Sequence, residues 1–361
     1  MRRDAFSVVI PAYQAASTLQ ACLEAINAAR PAPDEVIVYD DGSTDQTPEI
    51  ARAHGARVIA GTVARRGPAY GRNRGAQAAR CPTVLFVDAD VAVAPDALGR
   101  LSRLVSSDEN VSAAFGAYGD RVSAVVRNVA GRYANLRHHH THVTAAPSGV
   151  AEAQTFWSGL GAVDRAAFLA VGGFDEGYGR PCIEDVELGL RLKARGGRLL
   201  LVPDARGDHM KDWTLVQLWR TDLLQRAVPW SQLVAEGRIA PTLNTGGAEQ
   251  TKSVLAHLVW LFALVAMGTA LVGESAIWLA FVALSAGALL AYLVSNRRFL
   301  RVLRRQSRGT AIAGAGLHWL YHCYASLTFA IVVVWTGFMT RMRTRRSHKR
   351  ALAARLRTPS A

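Results

Sequence analysis

The first hundred residues alternate between short apolar runs and segments whose apolar positions repeat at helical spacing. Ser7-Val8-Val9-Ile10 reads as a strand that ends at Pro11, and residues 17–29 as a helix with a Ser/Thr start. Glu35-Val36-Ile37-Val38-Tyr39 is a second strand, running into Asp40-Asp41-Gly42-Ser43. Thr47-Pro48-Glu49 opens the next helix, with Pro48 suited to its first turn. Residues 56–59 form a third strand, 69–79 a helix, and Val84-Leu85-Phe86-Val87 a buried strand ending on Asp88-Ala89-Asp90. Such a β-α-β-α rhythm predicts an α/β domain, Rossmann-like, with a mostly parallel sheet covered by helices on both faces. Ligands of such sheets sit at the carboxyl ends of the strands, and both acidic strings fall there.

The pattern is weaker over residues 103–150. His138, His139, His140 and His142 lie in this stretch without nearby Cys or carboxylate, and a solvated loop is expected, a role in acceptor access being the alternative. Order returns with a strand and tight turn at 156–161, a helix at 165–171, a turn at Gly172-Gly173-Phe174-Asp175, a helix at 183–194 and a strand at 198–202. Residues 213–230 read as an amphipathic helix pair at a membrane surface.

Beyond Asn244 the composition changes. Gly246-Gly247 reads as a linker between a domain of residues 1–245 and an α-helical membrane module of residues 246–361. Hydrophobic helices are expected at about 253–272, 275–295 and 311–339, the first two as a tight hairpin. Residues 297–308 carry six arginines interleaved with Phe299, Leu300, Val302 and Leu303, which suits an interfacial basic helix. A basic tail, 341–357, follows. If the third stretch spans, as expected, the tail lies across the bilayer from the N-terminal domain, against the positive-inside bias.

Charge refines this division. The net charge of +14 is confined to one end of the chain: after Glu274 there is no Asp or Glu, and fourteen of the 42 bases lie from Arg297 onward, so the remainder holds 28 bases against 28 acids. A neutral body with a basic, apolar tail fits anionic membrane lipids and argues against nucleic acid as partner. The residues before Pro11 are too few for a signal-peptide core, so the N-terminal domain is expected on the cytoplasmic face of the cell inner membrane, with a multi-pass anchor. Cys22, Cys81, Cys182 and Cys323 show no metal or disulfide spacing and read as reduced thiols.

Two carboxylates one residue apart at a strand end, Asp88 and Asp90, can present oxygens to one hard cation, which in turn can neutralise a diphosphate. Alone, such a pair is equally a surface turn. In Asp40-Asp41-Gly42-Ser43-Thr44-Asp45, Gly42 permits a tight turn and Asp45 can cap the next helix, but a cap does not explain two acids before the glycine.

Taken in order, Ser7-Val8-Val9-Ile10-Pro11-Ala12-Tyr13, Asp40 to Asp45, Gly71-Arg72-Asn73-Arg74-Gly75, Asp88-Ala89-Asp90, Gly172-Gly173-Phe174-Asp175-Glu176 and Glu184-Asp185-Val186-Glu187-Leu188 with Arg191 resemble the family 2 glycosyltransferases. These are inverting enzymes with a GT-A fold, and the match covers roughly residues 6–230. The resemblance implies that Pro11, Ala12 and Tyr13 line a nucleotide-sugar pocket and that Asp40 or Asp41 contacts base and ribose. Arg66 and Arg72 fall where such enzymes place a cation near base or diphosphate; an exposed helix face is the alternative for both. Asp88 and Asp90 would bind Mn2+ or Mg2+, Asp88 also lying against the donor, and Asp185, after Glu184, would be the catalytic base. His209 falls where related enzymes complete the metal shell, a plain loop histidine being the alternative.

The function implied is metal-dependent transfer of a sugar from a nucleotide-diphosphate sugar, a UDP-sugar ahead of a GDP-sugar, to a lipid or glycolipid acceptor. A processive polysaccharide synthase is the second reading. It is disfavoured by few spans and by Gln225-Arg226-Ala227-Val228-Pro229-Trp230, whose spacing departs from the QxxRW signature of such synthases. A silent nucleotide-sugar-binding scaffold would have no need to keep Asp88, Asp90 and Asp185 together.

Overall fold

The computed structural model describes residues 5–61, 65–239, 246–273 and 275–355, the stretch 340–355 by its backbone alone. The first residues of the chain, residues 240–245 and the side chains of the basic tail thus lie outside the described residues, whereas the expected linker Gly246-Gly247 is the start of a helix. The chain divides into two compact units, one of residues up to 218 together with 296–317, the other of 219–295 together with residues from 318 on.

The first unit is built on a nine-stranded mixed sheet. Its N-terminal half follows the alternation expected: β1 (Phe6–Ala12), α1 (Ala16–Asn27), β2 (Glu35–Asp40), α2 (Thr47–Ala53), β3 (Arg57–Ala60), α3 (Pro68–Ala78) and β4 (Thr83–Val87). β1 pairs in parallel with β2 on one side and β4 on the other, and β2 pairs in parallel with β3. The chain therefore winds outward from β1 in one direction, then returns to β1 and continues in the other. The crevice at the carboxyl ends of β1 and β4 is where such a reversal leaves room for a ligand.

Both faces of these strands are covered. Val8 and Ile10 face one apolar layer with Leu19, Leu23 and Leu101, whereas Val9 faces the other with Ala76, Phe86 and Phe168. Continuous apolar strands are what two-sided burial requires. Gly75 shows how close the second layer lies: a Cβ there would stand 2.2 Å from Val9 Cγ1. Gly75→Ala should destabilise the fold by about 1–2 kcal/mol, because the strain of overpacking exceeds the gain in helix propensity. A melting temperature of the detergent-solubilised variant at or above that of the native chain would contradict this.

The second half of the sheet differs from the sequence reading. β5 (Val91–Val93), α4 (Ala97–Ser107), β6 (Val111–Tyr118) and α5 (Val129–Ala145) occupy the stretch in which the pattern was weak. The histidines expected in a solvated loop lie on α5, with His139 and His142 buried. Then follow β7 (Ala151–Glu152), β8 (Leu160–Asp164), α6 (Arg165–Ala170), α7 (Glu184–Ala194) and β9 (Arg198–His209), a strand far longer than the five residues expected. β8 runs antiparallel between β4 and β6, and β9 pairs with β6, β5 and β7.

A third apolar cluster completes this unit. α12 (Arg297–Gln306) buries Phe299 and Leu303 against Tyr133 and Leu136 of α5, with Trp213 and Leu218 beside them. The apolar face read as interfacial is thus packed on protein, while Arg297, Arg298, Arg301, Arg304 and Arg305 stay exposed.

In the second unit the segment expected as a helix pair is a nearly unbroken run: α8 (Leu215–Arg220) leads into it, a π-helical turn (Thr221–Ala227) follows, then α9 (Val228–Ala235). The buried Asp222 of that turn accepts a hydrogen bond from Tyr324 Oη at 2.7 Å. α10 (Gly247–Leu271) and α11 (Ser275–Ser295) form the hairpin, turning at Gly273, whose φ of +80° suits glycine. α13 (Arg308–Arg355) contains the third apolar stretch. Among the described residues three helices are long and apolar enough to cross a membrane: Gly247–Leu271, Ser275–Ser295 and Arg308–Met339. Polar side chains of these helices pair with one another: Glu249 with Lys252 and His322, and Tyr292 Oη with His322 Nδ1 at 2.9 Å.

Candidate active site

The site is assembled at the carboxyl ends of β1, β2 and β4. Past β1 the chain turns at Gln14, a non-glycine residue with φ of +50°. Its side chain fixes the turn, Nε2 donating to Thr44 Oγ1 at 2.8 Å and Oε1 accepting from the Thr44 and Asp45 amides at 3.3 and 3.2 Å. Strained backbone of this kind persists only where surroundings over-determine it, as here. Tyr13, just before it, remains 39% exposed, with the Arg65 guanidinium 4.1 Å from its ring centre.

The acids after β2 have separate tasks. Asp40 accepts the Ser43 amide at 3.1 Å, closing the turn at Gly42. Asp41 accepts the amides of Arg66 and Gly67 at 2.9 and 2.8 Å, so it anchors the loop that opens α3. Asp45 accepts the amides that open α1 and α2, those of Ala16 and Thr47; burial alone would raise its carboxyl, but the Thr47 hydroxyl and these amides outweigh it and hold it below the usual range. Arg66 itself is exposed and lies 4.6 Å from the centre of the Tyr70 ring.

Arg72 departs most from an exposed helix face. Its guanidinium is buried and forks between two carboxylates, Nη2 donating to Asp88 Oδ1 at 2.7 Å and Nη1 to Glu184 Oε1 at 3.0 Å. The planar fork suits two acceptors at once, which a lysine would not. Glu184 Oε2 accepts the Cys182 amide at 2.7 Å, so one oxygen holds the turn before α7 while the other meets Arg72.

Asp185 follows on α7. Its Oδ2 accepts the Ser158 amide at 3.2 Å and its Oδ1 the Val186 amide at 2.8 Å. Burial, with the adjacent Glu184 charge, pushes its pKa up to about 7, against the pull of the Ser158 amide and Arg72. A carboxyl poised there is ready to take a proton near neutral pH.

On the other side of Asp88, the antiparallel register of β5 and β9 pairs Val91 with His209 and thereby carries His209 to Asp90. His209 Nε2 lies 3.4 Å from Asp90 Oδ2, and its ring stacks on Tyr118 at 4.4 Å with 7° between planes. Burial opposes the charge of Asp90, but His209 outweighs it and holds the carboxyl below its usual range. A carboxylate and an imidazole are donors that Mn2+ and related ions accept. The pair fits a divalent cation that draws its other ligands from elsewhere; among the described residues no group of three or more such side chains forms a complete cage.

Of the residues expected from the sequence, the structure brings Asp88, Arg72, Glu184 and Asp185 into one chain of contacts, and Asp90 and His209 into another. Pro11, Ala12 and Tyr13 border the same strand ends. Sequence reading missed Gln14, Tyr118, Asn135 and Ser158. Asn135 had one signal: with His139 and His142 it repeats at i, i+4 and i+7, one face of a helix.

The family model for glycosyl transferase family 2 matches residues 7–160. The uncharacterized glycosyltransferase YibD of Escherichia coli (strain K12) is 34% identical over 28% of this chain and 31% of its own. The validoxylamine A glucosyltransferase of Streptomyces hygroscopicus subsp. limoneus is 29% identical over 53% of this chain and 48% of its own. The chain thus spans about half or less of the length of these curated relatives. The mannosyltransferase PcManGT of Pyrobaculum calidifontis, solved in complex with GDP-Man and Mn2+, aligns over 91% of this chain and 87% of its own with a TM-score of 0.53 and 19% identity, a likeness of fold. Residues 7–160 thus match glycosyl transferase family 2, within a unit whose fold is like that of the mannosyltransferase, a GT-A fold, and among the described residues three helices are long and apolar enough to cross a membrane.

Proposed function

We propose that the chain transfers a sugar from a nucleoside-diphosphate sugar to a hydroxyl of a lipid-linked or membrane-proximal acceptor, with inversion at the anomeric carbon. Arg72 carries this reading. One buried guanidinium links Asp88, at the end of a central strand, to Glu184, whose neighbour Asp185 is held as a weak acid. Donor-facing and acceptor-facing groups are thereby positioned by a single side chain.

In this mechanism Pro11, Ala12, Tyr13 and Asp40 receive the nucleoside, Asp41 shapes the loop beside it, and Arg66 lies near the diphosphate. Asp185 takes the proton of the acceptor hydroxyl as its oxygen attacks the anomeric carbon from the face opposite the diphosphate. The bond to the leaving oxygen breaks as the new one forms, which inverts the centre. A divalent cation, held by Asp90, His209 and Asp88, would neutralise the charge that gathers on the departing diphosphate.

Three apolar helices and the exposed arginines of α12 support a multi-pass protein whose catalytic unit faces anionic lipids on the cytoplasmic side of the inner membrane. The mannosyltransferase of like fold is solved with GDP-Man; the family resemblance still places UDP-sugars first. Detergent-solubilised protein offered a panel of UDP- and GDP-sugars with a membrane lipid extract should release nucleoside diphosphate from one of them, with EDTA abolishing release. Asp90→Ala should lower that rate about a hundredfold, a loss of about 3 kcal/mol of charge stabilisation. Full turnover in EDTA would remove the cation from the reading, and release from no donor would remove the reading itself.

A further inference from the structure

We infer that Asn135 is a positioning residue that sets the tautomer of His209 and so makes it a ligand for a divalent cation. The inference rests on the cation reading of the site and names a residue outside it.

The Asn135 amide makes two contacts with one residue. Nδ2 donates to the His209 carbonyl oxygen at 3.1 Å, and Oδ1 lies 2.6 Å from His209 Nδ1. The first contact fixes which end of the amide is which, because a carbonyl oxygen can only accept. Oδ1 therefore faces the ring, and as an acceptor it requires the proton on Nδ1. The ring's other nitrogen, Nε2, is then the one that faces the Asp90 side of the site, 3.4 Å from Oδ2, and the one available to a cation there. A metal-binding imidazole commonly has its second nitrogen held in this way, and the outer partner sets both the tautomer and the orientation of the ring.

Asn135 is itself fixed. It is 4% exposed. One turn further along α5, His139 Nδ1 lies 2.8 Å from the Tyr118 carbonyl oxygen, and next His142 Nδ1 lies 3.1 Å from that of Gly116. Asn135, His139 and His142 thus form a polar stripe that fastens α5 to the sheet, and Tyr118 in turn stacks on the His209 ring.

The test uses the full chain in detergent. Mn2+ affinity is read from the spin-resonance signal of free Mn2+. The His209 tautomer is read from the 15N shifts of histidine-labelled protein, its signals assigned by their loss in His209→Gln. Asn135→Leu is expected to weaken Mn2+ binding 10- to 100-fold. Asn135→Asp, which keeps an acceptor for the Nδ1 proton, should restore most of that affinity. In a His209→Ala background Asn135→Leu should cost nothing further, which a merely structural role for Asn135 would not produce. The tautomer measurement needs no Asn135 variant to fold: the native chain should carry the His209 proton on Nδ1. A His209 ring with its proton on Nε2 and none on Nδ1, unchanged Mn2+ affinity in Asn135→Leu, or equal weakening with and without His209 would each overturn the inference. A native chain that binds no Mn2+ overturns the cation reading, and this role falls with it.

Discussion

Asp185→Asn lowers sugar transfer by about two to four orders of magnitude while the protein still binds its nucleotide donor. The amide matches the carboxyl in shape and keeps one acceptor oxygen for the Ser158 or Val186 amide, so the start of α7 is preserved. It lacks the capacity to take a proton, and one of the two amides loses its acceptor. The pH profile of the native chain is the companion measurement. Burial and Glu184 raise Asp185 to about 7, so the basic form accumulates, and turnover climbs, as pH rises through that value. Stability moves the other way. A carboxyl whose pKa is raised on folding binds its proton more tightly in the native state, so native stability falls between the unfolded value of about 4 and the folded one. Asp185→Asn has no such charge to bury and should lose that part of the fall. Unchanged turnover in the variant, measured as nucleoside diphosphate released with acceptor present, would remove Asp185 as the base.

Arg72→Ala should cost about 3–5 kcal/mol of stability, the penalty for stranding a buried carboxylate without its partner. Glu184 is 4% exposed and depends on Arg72 at 3.0 Å for its counter-charge. Asp88, about a third exposed, is better hydrated and suffers less. Arg72→Lys should recover part of the loss, since one ammonium cannot span both acceptors as the fork does. The order expected in thermal denaturation is native, then Lys, then Ala; Arg72→Ala melting with the native chain would show the two pairs to be dispensable. The double substitution Arg72→Met with Glu184→Gln separates charge from packing. If the stranded charge dominates, the double variant melts above Arg72→Ala.

These residues were unevenly legible. The strand-end acids could be read because an apolar run such as Val84 to Val87 has only one place to lie, inside a sheet, and the polar residue after it must stand at the rim. Asp185 had the company of Glu184 and the Gly-Gly-Phe-Asp string. The partners of Arg72 could not be read, because a cation on a helix looks the same whether its face meets water or two carboxylates 16 and 112 residues away. His209 beside Asp90 depends on an antiparallel register between β5 and β9 that no local pattern encodes. The α5 region failed for a different reason. Its buried face is Asn135, His139 and His142, which satisfy backbone carbonyls, so the stripe that should have appeared apolar is polar. Phe299 and Leu303 did mark α12 as two-faced, but apolar spacing says nothing about whether lipid or protein covers the face.

That last packing has a consequence for the order in which the molecule can be made. Residues 296–317 belong to the same compact unit as the sheet, yet they are synthesised after both α10 and α11. A ribosome that has finished residue 239 has synthesised every strand and all the acids of the site, but not the helix that covers Tyr133 and Leu136 of α5. Asn135 lies between those two residues, on the helix that holds His209. The unit that holds the sheet is therefore complete only after two apolar helices have been synthesised, so its final closure waits on them.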